Sequence, residues 1–343
     1  MASVTGQKGY AAEEALRGYF RNTGYFVVRG IPLTYRKYDV TDVDLWLYAK
    51  ATPMAAERLC VDVKRRKTPQ AMERVLWTKG LMGVLGVDRA IVVTSDNRSE
   101  TRDFAIAHGI GVLQGEFLQR VVALFPPGDR LTEDELFTIL KTPCIVDSAT
   151  DWRAWFLGIK TTLLDSLNFD GCNSLLLAVK FLLDEYVATG KTSEASVRLL
   201  YIVVSYLLIC LDYASCSLVS LDTPGRKATL TDGFRYGEAG RKRTEEIVQM
   251  ALQLLSDAGK TDLFSGNALR KEFDRQVSEY RAEILGEYFA KKESLKSLFV
   301  TARAFENMAY AKTLVRPDAA SSESKALIGL FCDFLQHARK AII

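Results

Sequence analysis

Strand-like alternation of apolar and polar residues is confined to the first third of this 343-residue chain. Up to about Phe125, short period-two runs alternate with helical ones. Beyond Pro126-Pro127-Gly128-Asp129, long amphipathic or apolar stretches take over and alternation nearly ceases. Such a pattern predicts an α/β domain over 1–126, a mixed sheet flanked by helices, and an all-helical domain over 130–343. The length, above the usual size of a single core, agrees with two domains.

In the first domain the pattern predicts a helix over Tyr10–Asn22, ended by Gly24, and strands over Tyr25–Ile31, Val43–Tyr48 and Arg58–Lys64. A helix follows between Pro69 and Gly83 or Gly86, then a strand over Arg89–Thr94. Ser99 reads as the N-cap of a helix to about Ala107, and Ile110–Leu113 as a last short strand. The stretch between Ile31 and Asp42 reads as a loop able to carry substrate contacts. Helical stretches are expected at about 131–140, 151–167, 173–188, 194–219, 241–257, 267–295, 297–314 and 322–341. Trp152 and Trp155 are expected to pack in the core.

Composition excludes several classes. The six cysteines are scattered without a CxxC pair, which reads as buried reduced thiols and a cytoplasmic setting. Two histidines are too few for a His-rich metal site. The opening MASVTGQKGY does not read as a signal peptide. The most apolar run, Leu199 to Leu211, is short of the roughly 20 residues a membrane span needs and reads as a buried helix. No GxxxxGK(S/T) occurs, so ATP hydrolysis is not expected.

The chemistry-bearing residues lie on two expected strands. Alternation in Asp42-Val43-Asp44-Leu45-Trp46-Leu47-Tyr48 puts Asp42, Asp44, Trp46 and Tyr48 on one face. In Leu59-Cys60-Val61-Asp62-Val63-Lys64, Asp62 and Lys64 share a face while Leu59, Val61 and Val63 turn to the core. Carboxylates on paired strands suit Mg²⁺, with Mn²⁺ as an alternative. A metal so held activates water and neutralises charge in phosphodiester hydrolysis, and a neighbouring lysine can steady the developing charge. On the first helix, Glu13 falls at the edge of the apolar stripe, whereas Glu14 points away from it and reads as solvated. Asp42 is an outer-shell group, a loop residue or a second ligand.

These residues carry a resemblance. Lys8-Gly9-Tyr10-Ala11-Ala12-Glu13, Gly24-Tyr25-Phe26-Val27-Val28-Arg29, Val43-Asp44-Leu45 and Cys60-Val61-Asp62-Val63-Lys64 follow one another as in archaeal Holliday-junction resolvases and related PD-(D/E)XK nucleases. The match covers about residues 6–66. It implies a restriction-endonuclease-like fold and a metal-dependent endonuclease acting on DNA. Glu13, Asp44 and Asp62 would be the metal ligands, and Lys64 the catalytic lysine. Asp62 departs from the glutamate usual in close relatives, which the family motif also accepts. By analogy, the architecture fits a restriction, repair or phage-defence effector.

Basic residues extend the nucleic-acid reading. Arg65, Arg66 and Lys67 follow Lys64 directly, and Arg74 and Lys79 could continue that surface. The stretch 224–243, rich in glycine, reads as a mobile basic loop in which Arg241, Lys242 and Arg243 would contact nucleic acid. The helical domain would select substrate, pair two copies or bind a protein partner. The competing reading is a catalytically silent nuclease fold kept as a nucleic-acid-binding or scaffold subunit.

Overall fold

The computed structural model describes residues 4–36, 38–64, 70–126, 128–257 and 266–343. The chain forms two compact units, Met1–Asp165 with Glu306–Leu314, and Ser166–Phe305 with Val315–Ile343.

The first unit runs α1 (Val4–Asn22), β1 (Phe26–Tyr35), β2 (Tyr38–Thr52), β3 (Ala55–Lys64), α2 (Ala71–Leu85), β4 (Arg89–Thr94), α3 (Ser99–Ala107), β5 (Gly111–Leu113), α4 (Gly115–Leu124), α5 (Glu133–Ile139) and α6 (Trp152–Asp165). The strands form one mixed sheet in the order β1-β2-β3-β4-β5. β1, β2 and β3 are an antiparallel meander, while β3, β4 and β5 are parallel. Parallel neighbours need crossovers, and α2 and α3 supply them.

Period two decides which face each strand residue joins. Leu45 and Leu47 of β2, Leu59, Val61 and Val63 of β3, and Val27 of β1 form one core with Ala12, Ala15, Leu16 and Phe20 of α1 and Leu118 and Val121 of α4. Burying one such aliphatic side chain contributes roughly 1.5–3 kcal/mol. Leu45→Ala would therefore cost about 2–5 kcal/mol. Residues of opposite parity, Trp46, Tyr48, Cys60 and Val92, are buried on the other face. There α2 packs on β3 and β4, presenting Ala71, Val75, Thr78 and Leu81.

Three expectations need correction here. The stretch between Ile31 and Asp42 is not a loop. β1 continues to Tyr35 and β2 begins at Tyr38, an arm whose register pairs Tyr35 with Tyr38. The domain boundary expected at 126–130 falls inside the first unit, because α6 packs along β1 and Lys160 Nζ donates to the Arg29 carbonyl at 2.7 Å. A helix there covers an edge strand that would otherwise expose backbone groups. Ser99 does not cap α3; its hydroxyl donates to Glu100 instead.

The second unit is mostly helical: α7 (Phe169–Ala188), α8 (Glu194–Ala214), a 3-10 turn (Ser215–Leu218), α9 (Thr223–Tyr236), α10 (Gly240–Asp257), α11 (Gly266–Glu279), α12 (Ala282–Phe289), most of α13 (Lys292–Tyr310), a second 3-10 turn (Pro317–Ala319), α14 (Ser322–Phe334) and α15 (Arg339–Ile342). α8 packs on α7 and is buried on every side. Among the described residues, Glu194–Leu218 is the one helical stretch long and apolar enough to cross a membrane, and 83% of its most apolar window is buried inside the protein. It is a core helix.

The basic stretch 224–243 is not a loop either. Asp222 accepts from Gly225 N–H at 2.8 Å and Pro224 lies in the first turn, so α9 starts with a capped end. Gly233 serves close packing, since a Cβ there would collide with the Phe169 ring. Gly237 and Gly240, at φ +67° and +72°, make the turn into α10.

Candidate functional site

The β2–β3 ladder runs from Thr52 opposite Ala55 to Leu45 opposite Val61. Asp44 and Asp62 occupy the next positions. There a side chain replaces the backbone partner: Val63 N–H donates to Asp44 Oδ2 at 2.6 Å. The two aspartates thus share a face at the open end of the strand pair, beyond the buried Trp46 and Cys60. Asp44 is half-buried, and Asp62 is only 5% exposed.

A cation already meets Asp62. Arg74, in the first turns of α2, donates from Nε to Oδ2 at 2.8 Å and from Nη2 to Oδ1. Its guanidinium lies 5.6 Å from the Trp77 ring centre, one turn along the helix. A bidentate guanidinium–carboxylate pair is among the stronger charge-assisted contacts. Beneath it, burial and then the Asp62 charge push the Cys60 thiol up to about 12, so no thiolate nucleophile is at hand.

Glu13 does not join this pair. α1 packs on the Leu45–Leu47 face, whereas Asp44 and Asp62 have the opposite parity. The Glu13 carboxylate instead accepts from Arg29 Nε at 2.8 Å. Among the described residues no group of three or more His, Cys, Asp or Glu side chains is placed to hold a metal ion. Of the expected ligands Glu13, Asp44 and Asp62, the structure brings together the two aspartates and leaves Glu13 on the other face.

Glu14 is corrected too. It is less exposed than Glu13, at 12% against 20% of the side chain. It accepts from Arg29 Nη1 at 2.9 Å and from Glu133 N–H at 3.1 Å. Lys160 is fully buried and donates to Glu133. The sequence-distant helix α5 meets a helix face that reads as solvated in α1 alone. The same burial sets the protonation of the acids. Desolvation raises the Glu13 carboxyl against the pull of Arg29. For Glu14, Arg17 and Arg29 outweigh desolvation and the carboxyl is lowered. For Lys160, desolvation outweighs Glu133 and the ammonium is lowered.

The chain matches no family model, no curated protein and no solved structure. What the aspartate pair can do is a matter of its own geometry. Two adjacent hard carboxylates at a strand end are a minimal seat for Mg²⁺, an ion that keeps most of its water and takes further oxygens from phosphate.

The basic residues divide. Lys64 closes β3, but its side chain, together with Arg65, Arg66 and Lys67, lies outside the described residues. Arg241, Lys242 and Arg243 are exposed on the first turn of α10. Arg241 pairs with Glu245 at 2.9 Å and Arg243 with Glu246 at 3.0 Å, one turn along the same helix. Within 224–243, Lys227 pairs with Glu287 and Arg235 with Glu283. Much of that positive charge is internally compensated.

Three site neighbours escape a sequence reading. Arg74 could be read only as part of a basic surface, not as the partner of Asp62. Arg29 stands in the quoted strand motif, yet nothing in its spacing shows that it binds Glu13. Asp96, just past β4, is buried and accepts from Arg98 N–H at 3.0 Å and from the Thr101 hydroxyl at 2.8 Å. The Arg98 guanidinium, which also donates to this carboxylate, is the main cause that holds the carboxyl at about 2, with the other two bonds adding to it. A signal exists here: an aspartate ahead of a helix start is a usual side-chain cap.

Proposed function

We propose that the first unit is a metal-dependent nuclease domain that hydrolyses phosphodiester bonds in DNA, with Asp44 and Asp62 holding a Mg²⁺ ion. The observation that carries this reading is the convergence of these carboxylates at the open end of β2 and β3. The helix–three strands–helix–strand order agrees with the restriction-endonuclease-like fold that the resemblance implies. Bound there, the ion would supply activation of water and neutralisation of phosphate charge. Asp44 is fixed in rotamer by Val63 N–H, and Asp62 is aligned by Arg74. Lys64, two residues beyond Asp62 on β3, is the candidate for steadying the developing charge. Arg74 has the forked geometry that binds phosphate oxygens in pairs. The exposed arm at the β1–β2 turn offers Tyr35 and Tyr38 as stacking surfaces beside Arg36.

One observation favours the second reading, a silent nuclease fold that binds without turnover: Arg74 already satisfies both oxygens of Asp62. Incubation of the full chain with labelled duplex, single-stranded and branched DNA, with Mg²⁺ and with Mn²⁺, separates the two. Cleavage is expected with either ion. Asp44→Asn, Asp62→Asn and Lys64→Ala should each lower it by about 10²-fold or more. A folded wild-type protein that binds these DNAs but cuts none of them decides for the silent reading.

A further inference from the structure

A second polar site lies in the first unit, away from the aspartate pair. Residues of α1 from Glu14 on, with Leu124–Pro126 and Gly128–Thr132, line a cavity of about 420 Å³ whose carboxylates are Glu14 and Asp129. Arg17, Arg21 and Arg130 line it, with Gly18, Leu124 and Phe125 beside them. Behind them stand Glu306 and Tyr310, and Leu131 N–H donates to the Tyr310 carbonyl at 2.7 Å.

Just behind the wall of this cavity, donors are in excess. Arg17 is only 4% exposed, and its Nη2 donates to Glu306 Oε1 at 2.8 Å. Arg130 Nη2 donates to the same oxygen. Both guanidiniums lie over the Tyr310 ring, at 3.9 and 4.8 Å from its centre. With those contacts made, Arg17 Nε and Arg130 Nε and Nη1 are shut off from water and have no acceptor. A guanidinium offers five N–H donors, no acceptor, and cannot shed its charge.

The nearby carboxylates are engaged elsewhere or set at the rim. Glu306 serves two guanidiniums. Glu14 serves Arg29 and the Glu133 N–H, with Arg17 at 3.5 Å. Asp129 is 78% exposed and 3.6 Å from Arg21. Burial first, and then the adjacent charge of Arg130, lower Arg21. Like charges held together around a hollow are relieved by an anion rich in acceptor oxygens.

We propose that this cavity binds a small molecule carrying a phosphate monoester. The phosphate would meet Arg130, Arg21 and Arg17, and Leu124 and Phe125 would receive the organic part. The volume falls within the usual range for small-molecule sites, roughly 300–1,000 Å³. Its recess also selects the ligand. The end of a small molecule can reach a nearly buried arginine, whereas an internal phosphodiester of a polymer cannot. This site does not depend on the nuclease reading.

The test is calorimetric titration of the full chain with adenosine 5′-monophosphate and glucose 6-phosphate, with adenosine and citrate as counter-probes. At least one monoester should bind, one per chain, and raise the melting temperature, while adenosine and citrate should not. Arg130→Gln and Arg21→Gln should each weaken that binding about tenfold or more, the scale of one lost charge-assisted contact. Arg120→Gln, on the exposed side of α4, should leave it unchanged. Gly18→Leu keeps every arginine and favours the helix, and because a Cβ there meets Phe125 at 3.4 Å it crowds the apolar end of the hollow; it should abolish binding. The proposal is overturned if neither monoester binds at millimolar concentration. It is also overturned if Gly18→Leu binds as wild type does, if citrate binds as tightly as the monoesters, or if a 5′-hydroxyl oligonucleotide competes as well as they do.

Discussion

The two faces of the N-terminal sheet use carboxylates in opposite ways. On the α2 face, Asp44 and Asp62 sit at an open strand end, where Arg74 reaches Asp62 from a helix. On the α1 face, Glu13, Glu14, Glu133 and Glu306 are interleaved with Arg17, Arg29, Arg130 and Lys160, and several of these groups are wholly buried. In the second setting Glu306 answers to Arg17 and Arg130, and Glu14 to Arg29 and Arg17, so those carboxylates order the packing of several cations. In the first, Asp62 is as deeply buried, but the arginine it meets is itself 26% exposed. Residue type does not separate the settings; what covers each face does.

The sharpest test of this contrast compares one acid from each side. Glu306→Gln leaves Arg17 and Arg130 facing each other without a full counter-charge, and breaking a buried pair in this way costs about 3–5 kcal/mol. Asp62→Asn leaves Arg74, whose side chain is 26% exposed and can turn to water, so its cost should be smaller, about 1–3 kcal/mol, the scale of a lost charge-assisted hydrogen bond. Denaturant titration of both variants measures the two costs. Equal losses would mean that Asp62 is as structural as Glu306, and the aspartate pair would lose its standing as an exchangeable site.

Acid should act on the buried face at nearly the same scale. Burial alone would raise the Glu306 carboxyl, but Arg130 and Arg17 prevail and hold it at about 2, against an ordinary value of 4.5. A carboxyl lowered on folding contributes stability that is complete above its unfolded value and is lost as pH falls through its folded one. The window is therefore pH 4.5 down to 2, and the loss is about 3 kcal/mol. Glu14 is lowered and adds to the effect, while Glu13 is raised and opposes it. Wild type should lose stability across that window, and Glu306→Gln should lose distinctly less. Parallel curves for the two proteins would show that Glu306 is not the group titrating.

The sheet was legible from the chain because period two sorts Leu45 and Leu47 from Asp44 and Trp46 whatever surrounds them. β4 and α3 likewise begin and end where their apolar pattern does. The partners of the acids were not legible. The choice between Glu13 and Glu14 rests on the apolar stripe of α1, yet α5, more than a hundred residues away in sequence, meets the side that α1 alone leaves to solvent. Arg74 meets Asp62 through the phase of a helix against a strand end, which one-letter spacing does not encode. α9 escapes a reading of the chain because its glycines suggest mobility, although Asp222 and Pro224 carry a start signal; Gly233 is there to let Phe169 approach.

The smallest expected effect concerns the residue that stands between the two faces. Gly30 lies on β1 between Arg29, paired with Leu45, and Ile31, paired with Val43, so its register position faces Asp44. Its φ of +56° is left-handed. A Cβ there would meet nothing nearer than Glu133 Oε1 at 4.0 Å, so Gly30→Ala suffers backbone strain without a clash. The cost should be about 1–2 kcal/mol, and Gly30→Asn should cost less, because asparagine tolerates this conformation better. Chemical denaturation of the two variants checks both values; a neutral alanine would place Gly30 in ordinary strand geometry. DNA cleavage by the same variants then bears on the contrast itself. If strain beside Arg29 leaves the rate within about twofold of wild type, a change of about 0.4 kcal/mol and so inside the 0.5 kcal/mol scale of a noticeable perturbation, the two faces work independently. A larger loss would mean that the kink at Gly30 sets the position of Asp44, and the buried ionic face would then act as the mould of the exchangeable one.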